Sequence, residues 1–257
     1  MTRIDSYEDL TDNIVGWLKD YYWMHNVKAF VVGVSGGIDS AVVSSLCART
    51  GLPTYVVCMP LESKFENTKL SDAHSRALVE KYDNVKRIEV ELFSAYDSLI
   101  KSIEWWSEAQ HFNRKEFTSS DHAKANTKSR MRMVTLYQIA GSVGGIVVGT
   151  GNKVEDYGVG FYTKYGDGGV DIAPIADLYK TEVWELGEYL EVDQRIVDAD
   201  PTDGLWIDSR SDEEQLGASY AELEEAMETG TGPAVDVLKK FNDQNKHKML
   251  PIPTFKL

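Results

Sequence analysis

Hydrophobic positions follow two different spacings along the chain, and these spacings separate predicted helices from predicted strands. Residues 6–24 place apolar side chains on one helical face and predict an amphipathic helix, with Ser6 and Asp9 as a variant capping box at its start. Short, continuous apolar runs rich in β-branched residues are typical of strands that are buried on both faces. Three such runs occur, at Lys28–Val34, Thr54–Met59 and Gly145–Gly149, and Val85–Leu92, which mixes apolar and charged residues, predicts a further strand.

Helical patterns separate these strands and occupy most of the chain after residue 180. They cover 41–49, roughly 68–81, a stretch that carries Leu99, Ile100, Ile103 and Trp106, and roughly 122–141. Strands and helices that alternate at this spacing predict an open parallel sheet with helices on both faces, a Rossmann-like, three-layer α/β fold. No repeat, low-complexity tract or linker interrupts the pattern, so we expect one domain over residues 1–257.

Composition excludes several classes of protein. With 42% hydrophobic and 26% charged residues, the chain has an ordinary globular composition and is not disordered or collagen-like. No apolar run approaches the roughly 20 residues that span a bilayer, and the polar, acidic start of the chain lacks the apolar core of a secretory signal. Cys47 and Cys58 lie in apolar segments without metal-ligand spacing, so we expect buried packing residues and a cytoplasmic location.

The charge of the chain is strongly negative but unevenly distributed. A net charge of −14 argues against nucleic acid or an anionic membrane as a partner, because binding to phosphate backbones needs a basic surface. Residues 191–228 hold thirteen acidic and two basic side chains, whereas residues 111–132 hold six basic and two acidic ones. The basic stretch is compatible with a small anionic ligand, but by itself it favours a solvated helix face.

The strongest chemical signal is the segment Gly33–Ser40, which reads Gly-Val-Ser-Gly-Gly-Ile-Asp-Ser and joins a predicted strand to a predicted helix. Backbone N–H groups and the helix dipole favour an anion at such a junction. Gly36 and Gly37 allow close approach of phosphate oxygens, and Ser35 and Ser40 add hydroxyl donors. The segment matches neither a Walker A loop nor a dinucleotide fingerprint. The alternative is an ordinary Gly/Ser turn.

The Ser-Gly-Gly-x-Asp-Ser pattern at 35–40 resembles the phosphate loop of the N-type ATP pyrophosphatases, which split ATP between its α- and β-phosphates and leave AMP on an acceptor. Further segments resemble the ammonia-dependent NAD synthetase family, and together they span nearly the whole chain. These segments are Asn126–Arg132, Gly149–Glu155, Phe161–Asp171, Pro174–Lys180, Asp200–Leu205, Asp212–Gly217 and Lys246–Lys248. The resemblance implies the adenine nucleotide α-hydrolase-like version of the predicted fold.

The resemblance implies a specific reaction and an ATP site. ATP adenylates the carboxylate of nicotinic acid adenine dinucleotide (deamido-NAD) and releases pyrophosphate, and ammonia then displaces AMP to give NAD. Asp39 and Lys180 are the implied catalytic residues, and Mg²⁺ is the implied cofactor, held by Asp39 and Glu155. The implied ATP-binding residues are Gly33, Val34, Ser35, Gly36, Gly37, Ile38, Asp39, Ser40, Thr150, Lys180 and Thr202.

The resemblance also implies a dinucleotide site and an oligomeric state. The implied deamido-NAD contacts are Asn126, Arg130, Lys164, Asp167, Asp171, His247 and Lys248. Family members are homodimers with the dinucleotide site at the subunit interface, so we expect the same here. Four aromatic residues are compatible with an interface and equally with core packing: Trp105, Trp106, Phe161 and Tyr162.

Most of these residues also have an ordinary structural interpretation. Without the resemblance, Asp39 and Glu155 could be a helix N-terminal carboxylate and a solvated loop glutamate. Thr150 and Thr202 could be capping residues, and the pair 247–248 could be solvated. Lys180 is more informative, because a lysine at a helix start is disfavoured by the helix dipole unless an anion meets it.

The sequence departs from the family pattern at two places, and two other functions remain as alternatives. The stretch from Glu155 to Lys164 is one residue longer than the family pattern, which leaves the alignment of 156–160 open, and 207–210 matches loosely and is expected to be a mobile loop. We expect no glutaminase domain and therefore free ammonia as the nitrogen donor. Two competing hypotheses are a tRNA-modifying ligase with the same loop and a non-catalytic module that binds adenine nucleotides.

Overall fold

Four parallel strands form the centre of the protein, whose computed structural model describes residues 3–62, 65–109, 120–202 and 211–256. The strands are β1 (Phe30–Gly33), β2 (Thr54–Cys58), β3 (Val85–Glu89) and β4 (Ile146–Val148). Their order across the sheet is β3-β2-β1-β4, and every pairing is parallel. The first three strands therefore progress in one direction from β1, and β4 lies on the opposite side. This places the topological switch point between β1 and β4, where open α/β sheets bind ligands.

Helices connect and cover these strands. They are α1 (Tyr7–Met24), α2 (Ile38–Arg49), α3 (Phe65–Lys81), α4 (Phe93–Ala109), α5 (Asp121–Val143), α6 (Lys180–Tyr189), α7 (Gln194–Val197), α8 (Asp212–Leu216), α9 (Tyr220–Thr229) and α10 (Val235–Met249). As predicted, Ser6 caps α1 by accepting from the backbone N–H of Asp9 at 3.1 Å. Helix α2 begins three residues earlier than predicted, because Gly37 takes the extended N-cap conformation directly before Ile38.

The two faces of the sheet bury different side chains, so the predicted three-layer α/β architecture is confirmed. Phe30 and Val32 of β1 belong to a cluster that includes Leu46 of α2 and residues of α1 and α6. Val31, which points to the opposite face, belongs to a second cluster that includes Leu136 of α5. Because successive strand residues alternate between the faces, a continuous apolar run serves both helical layers.

A short π-helical turn, Val154–Val159, follows β4 and supports the C-terminal helices. Val154 and Val159 pack with Tyr220 and Leu223 of α9 in a separate apolar cluster. A π-helical turn accommodates one residue more than an α-helical turn, and this turn lies in the stretch that is one residue longer than the family pattern. Gly160 ends the turn in the left-handed conformation, with φ of 65°.

Three further sequence expectations concern properties outside the fold class. Cys47 and Cys58 are free and buried, as predicted. Among the described residues, no helix combines the length and the apolarity that crossing a membrane requires. The basic residues within 110–119 and the loosely matched segment 207–210 lie outside the described residues.

Candidate active site

The carboxyl ends of β1 and β4 open into a cleft of about 940 Å³. Its position at the switch point follows from the strand order, because the connections from β1 and β4 leave the sheet in opposite directions. All residues that the sequence assigns to ATP line this cleft. They are Gly33, Val34, Ser35, Gly36, Gly37, Ile38, Asp39, Ser40, Thr150, Lys180 and Thr202.

The glycine-rich loop after β1 is held in shape mainly by its own serines. The buried hydroxyl of Ser40 donates to the carbonyl of Gly37 at 2.9 Å and accepts from the backbone N–H of Ser35 at 3.1 Å. The Ser35 hydroxyl accepts from the N–H of Gly37 at 3.2 Å. The sequence predicts that Ser40 donates to phosphate, whereas in the structure its hydroxyl bonds within the loop. The exposed Ser35 and the start of α2 form the face that meets the cleft.

Gly36 is required for a different reason from the one that the sequence suggests. Its φ is +93°, and a Cβ at this position would lie 2.4 Å from the carbonyl oxygen of Asn67 in α3. Glycine here therefore permits contact between the loop and α3 as well as a left-handed backbone. At Gly37, by contrast, a Cβ would meet only the Ser35 hydroxyl, at 3.5 Å, so the space beside Gly37 is available to a ligand.

Lys180 lies between the two carboxylates that the sequence assigns to a metal. Its ammonium donates to Asp39 Oδ2 at 2.5 Å and to Glu155 Oε1 at 3.1 Å. The lysine side chain is 3% exposed, and both carboxylate side chains are 17% exposed. The interpretation of Glu155 as a solvated loop residue is therefore wrong. The same contacts explain why a lysine is tolerated as the first residue of α6.

The charge of Lys180 is set by these two neighbours. Burial alone would lower the pKa of the Lys180 ammonium, but Asp39 and Glu155 outweigh burial and hold that pKa above its ordinary value. The lysine therefore stays protonated. The cluster presents a cation and two carboxylates at the end of a glycine-rich loop, an arrangement suited to a polyphosphate and a divalent cation.

Four residues that the sequence analysis did not single out surround this cluster. Asn152 donates to Asp39, and Tyr220 donates to Glu155. Glu224 of α9 accepts from the backbone N–H of Thr181 at 3.0 Å and from its hydroxyl at 2.6 Å, which fixes the start of α6. Asp156 lines the cleft, and burial, with a contribution from Glu155, raises its pKa to about 7.

Sequence signals for these four residues differ. Asn152 belongs to the quoted Gly149–Glu155 segment, and Asp156 follows that segment directly. A Cβ at Gly151 would lie 2.3 Å from the Asp156 carboxylate, so glycine at 151 makes room for that side chain. Tyr220 and Glu224 lie outside every quoted segment, and only the packing of α9 against α6 brings them to the site.

Three of the residues assigned to the dinucleotide line the cleft: Asn126, Asp167 and Lys248. Asn126 of α5 accepts from the hydroxyl of Thr163 at 2.6 Å. Asp167 accepts from the hydroxyl of Ser129 at 2.5 Å. Lys248 of α10 donates to the carbonyls of Gly160 and Tyr162. These contacts hold the segment 160–167 against α5 and α10, where it forms one wall of the cleft.

The other four dinucleotide residues do not line this cleft. Arg130 donates to the carbonyl of Lys164 at 3.2 Å, and Lys164 donates to the carbonyl of His247 at 3.2 Å. Asp171 accepts from the hydroxyl of Tyr137 and from the backbone N–H of Val147, at 3.1 and 2.7 Å. The structure therefore separates the predicted dinucleotide residues into an inner set that lines the cleft and an outer set that does not.

The four aromatic residues separate in a similar way. Phe161 and Tyr162 are half-buried and line the cleft. Trp105 and Trp106 of α4 are 71% and 47% exposed. Exposed apolar side chains also occur on α5, where Val134 and Tyr137 border a shallow surface depression. The helical layer of α4 and α5 thus presents apolar side chains to the surface.

The fold and the cleft define a class: a doubly wound α/β protein with a glycine-rich phosphate-type loop at the switch point of its sheet. Residues 10–252 match the family model described as NAD synthase. The chain therefore belongs to the NAD synthase family and is a ligase.

Individual relatives agree with this membership. The NH₃-dependent NAD⁺ synthetase of Carboxydothermus hydrogenoformans is 35% identical over 246 residues, which cover 95% of each chain. The structure of the NMN synthetase from Francisella tularensis is 31% identical, with a TM-score of 0.85 and coverage of 99% of this chain and 100% of that one. The NH₃-dependent NAD synthetase from Campylobacter jejuni is 25% identical, with a TM-score of 0.76 and coverage of 98% and 100%.

Proposed function

We propose that this protein catalyses the last step of NAD biosynthesis, the ATP-dependent amidation of deamido-NAD with ammonia. In the first half-reaction a carboxylate oxygen of the nicotinate attacks the α-phosphorus of ATP, and the bond to the β-phosphate breaks. In the second, ammonia attacks the acyl carbon and AMP leaves. The observation that carries the proposal is the cluster of Lys180, Asp39 and Glu155 beside the glycine-rich loop, in a chain of the NAD synthase family.

Different residues of the cleft have different roles in the first half-reaction. The loop 33–40 and the start of α2 bind the ATP phosphates, supported by Thr150 and Thr202, which line the same cleft. The Lys180 ammonium meets the β- and γ-phosphates as negative charge develops on the leaving pyrophosphate. Its position among carboxylates keeps it protonated for that purpose.

The donor set fits Mg²⁺. Asp39 and Glu155 already contact one shared cation, the Lys180 ammonium, so their oxygens converge on a common position. Among the described residues, no group of three His, Cys, Asp or Glu side chains converges as a metal site, but Mg²⁺ needs few protein carboxylates when phosphate oxygens complete its shell. When bound, it neutralises charge on the leaving pyrophosphate.

We further propose that the protein acts as a homodimer with the dinucleotide site between two copies. The inner set Asn126, Asp167 and Lys248 lines the cleft, whereas the outer set Arg130, Lys164, Asp171 and His247 does not line it. A second copy packed on the apolar face of α4 and α5 would bring its outer set toward the first cleft. This arrangement accounts for the division into two sets.

Ammonia as the nitrogen donor, a single domain over residues 1–257 and a cytoplasmic location complete the proposal. The named NH₃-dependent relatives and this chain cover one another almost completely, which supports the first two points. The two free, buried cysteines fit a reducing compartment. A tRNA-modifying ligase fits less well because of the net charge of −14. A non-catalytic module gives no reason for a protonated lysine between two carboxylates.

The test is an incubation of the purified protein with ATP, Mg²⁺, ammonium and deamido-NAD, analysed by chromatography. We expect NAD, AMP and pyrophosphate in equal amounts. A second arm offers nicotinic acid mononucleotide, because an NMN synthetase is among the most similar structures, and a third replaces ammonium with glutamine. Turnover of the mononucleotide in place of the dinucleotide would correct the substrate, and equal rates with glutamine would contradict ammonia dependence. No amide product in any arm would refute the proposed function.

A further inference from the structure

Two buried residues hold the two carboxylates that flank Lys180. Asn152 is fully buried, and its Nδ2 donates to Asp39 Oδ1 at 3.1 Å. Tyr220 is 1% exposed, and its hydroxyl donates to Glu155 Oε1 at 2.8 Å. Each carboxylate therefore accepts from an uncharged, buried donor in addition to the lysine ammonium.

Both donors are themselves fixed by the surrounding structure. The Asn152 Oδ1 accepts from the backbone N–H groups of Val154 and Glu155, each at 3.1 Å, so the amide is bonded at both ends. The ring of Tyr220 packs edge-on against Trp184, with centroids 5.9 Å apart, and lies 5.1 Å from the Lys180 ammonium. Neither side chain can turn away from its carboxylate without losing these contacts.

The uncharged donors are needed because, in the proposed function, the Lys180 ammonium also contacts the ATP phosphates. When the Lys180 ammonium contacts phosphates, it interacts less with Asp39 and Glu155, and two neighbouring carboxylates then repel each other. Hydrogen bonds from a buried amide and a buried phenol persist during that change. They keep both carboxylates aimed at the common cation position.

We propose that Asn152 and Tyr220 are positioning residues that keep Asp39 and Glu155 oriented for a divalent cation bound together with ATP. The proposal rests on the proposed function for its use of ATP and the cation. Partners that orient metal-binding side chains typically change metal affinity or activity by about 10- to 100-fold when they are removed.

The test compares Tyr220→Phe with a matched control, Tyr22→Phe. Each substitution removes one hydroxyl from a buried tyrosine, but the Tyr22 hydroxyl donates to the carbonyl of Lys28 at 3.3 Å, away from the cleft. Binding of Mn²⁺ to the protein with α,β-methylene-ATP is measured by electron paramagnetic resonance. We expect the Mn²⁺ dissociation constant to rise about 10- to 100-fold in Tyr220→Phe and to stay unchanged in Tyr22→Phe.

Kinetics provide the second readout. In Tyr220→Phe the Mg²⁺ concentration for half-maximal rate should rise, while KM for deamido-NAD stays near the wild-type value. Asn152→Ala, examined in parallel, should weaken Mn²⁺ binding in the same way, because Asp39 loses its uncharged donor. Wild-type Mn²⁺ affinity in both folded variants, or a wild-type protein that binds no Mn²⁺ with the ATP analogue, overturns the proposal. The Mn²⁺ measurement does not depend on the acceptor, so a failed amidation assay would refute only the proposed function.

Discussion

Lys180 carries a charge into an interior position where burial alone would make an ammonium costly. Two carboxylates compensate for burial and keep it protonated. The resemblance to the NAD synthetase family implies that Asp39, Glu155 and Lys180 share one ATP site, and the position of the two carboxylates after parallel strands agrees with it. The sequence does not predict that the lysine contacts both carboxylates. That contact depends on how α6 packs against α2.

Replacing Lys180 by Met tests its part in the chemistry. We expect kcat to fall on the order of 10²-fold, because one preorganised charged donor to the leaving pyrophosphate is lost, while KM for deamido-NAD changes little. Lys153→Met is the matched control, since Lys153 pairs with Asp177 at 2.8 Å outside the cluster. Steady-state kinetics with thermal melting decides the question. An unchanged kcat in folded Lys180→Met would contradict the assignment.

The two neighbouring glycines of the loop allow structural and binding roles to be separated. Gly36→Ala should destabilise the protein by about 1–3 kcal/mol, because the new Cβ meets the Asn67 carbonyl at a φ of +93°. Gly37→Ala should leave the free energy of unfolding nearly unchanged and should weaken ATP binding, since its Cβ would make only an ordinary contact with the Ser35 hydroxyl, at 3.5 Å, and would occupy the space beside the loop. Urea unfolding and calorimetric titration with ATP measure both effects. Equal losses of stability in the two variants would contradict the assignment of a structural role to Gly36 and a binding role to Gly37.

At the scale of helices and strands, the hydrophobic pattern of the sequence predicts the elements that are determined by their own residues. The apolar runs of β1, β2 and β4 and the amphipathic face of α1 are continuous signals, and the structure confirms them. The π-helical turn at Val154–Val159 could not be predicted, because one additional residue in a short turn leaves no periodicity to detect. The roles of Tyr220 and Glu224 could not be predicted either, since α9 meets the site only through tertiary packing.

Helices α2 and α3 are linked by a buried histidine that makes their packing sensitive to pH. His74 of α3 lies 2.9 Å from the hydroxyl of Ser44 in α2, and burial lowers its pKa from 6.5 to about 4. Between those pH values the unfolded chain binds a proton that the native state does not, so stability falls as pH falls from 6.5 to 4. The difference amounts to about 3 kcal/mol at the lower end.

Urea unfolding of the wild type and His74→Gln across this pH range measures that contribution. We expect the stability of the wild type to fall more steeply than that of the variant, with the two curves parallel above pH 6.5. Parallel curves over the whole range would mean that His74 accepts a proton in the native state as easily as in the unfolded chain.

At the scale of the whole molecule, strand order decides where the chemistry is placed. The alternation of strands and helices predicts a parallel sheet, but not the order β3-β2-β1-β4 that puts the loop at 33–40 beside the loop after β4. The division of the dinucleotide residues into inner and outer sets could not be predicted, because all seven lie in segments with the same family resemblance. Which of them line the cleft depends on how α5, α10 and the segment 160–171 pack together, since each of the two helices carries a residue of both sets.

Complementation between variants tests the two-copy site. Asp39→Ala disables the cleft, and Arg130→Ala disables the outer set, so each homodimer should be inactive. A co-expressed equal mixture should regain about a quarter of the wild-type rate, because half the dimers are mixed and each contains one intact site. Mass spectrometry confirms that mixed dimers form. If such a sample regains no activity, both residues belong to the site of the same copy.

In the proposed reaction, the cluster around Lys180 promotes adenylation of a nicotinate carboxylate before ammonia attacks. Deamido-NAD with ¹⁸O in its carboxylate reports this directly, since the oxygen that attacks the α-phosphorus stays on AMP when ammonia displaces it. Mass spectrometry of the products should find one ¹⁸O in AMP, one in the amide of NAD and none in pyrophosphate. Unlabelled AMP, or label in pyrophosphate, would contradict the account.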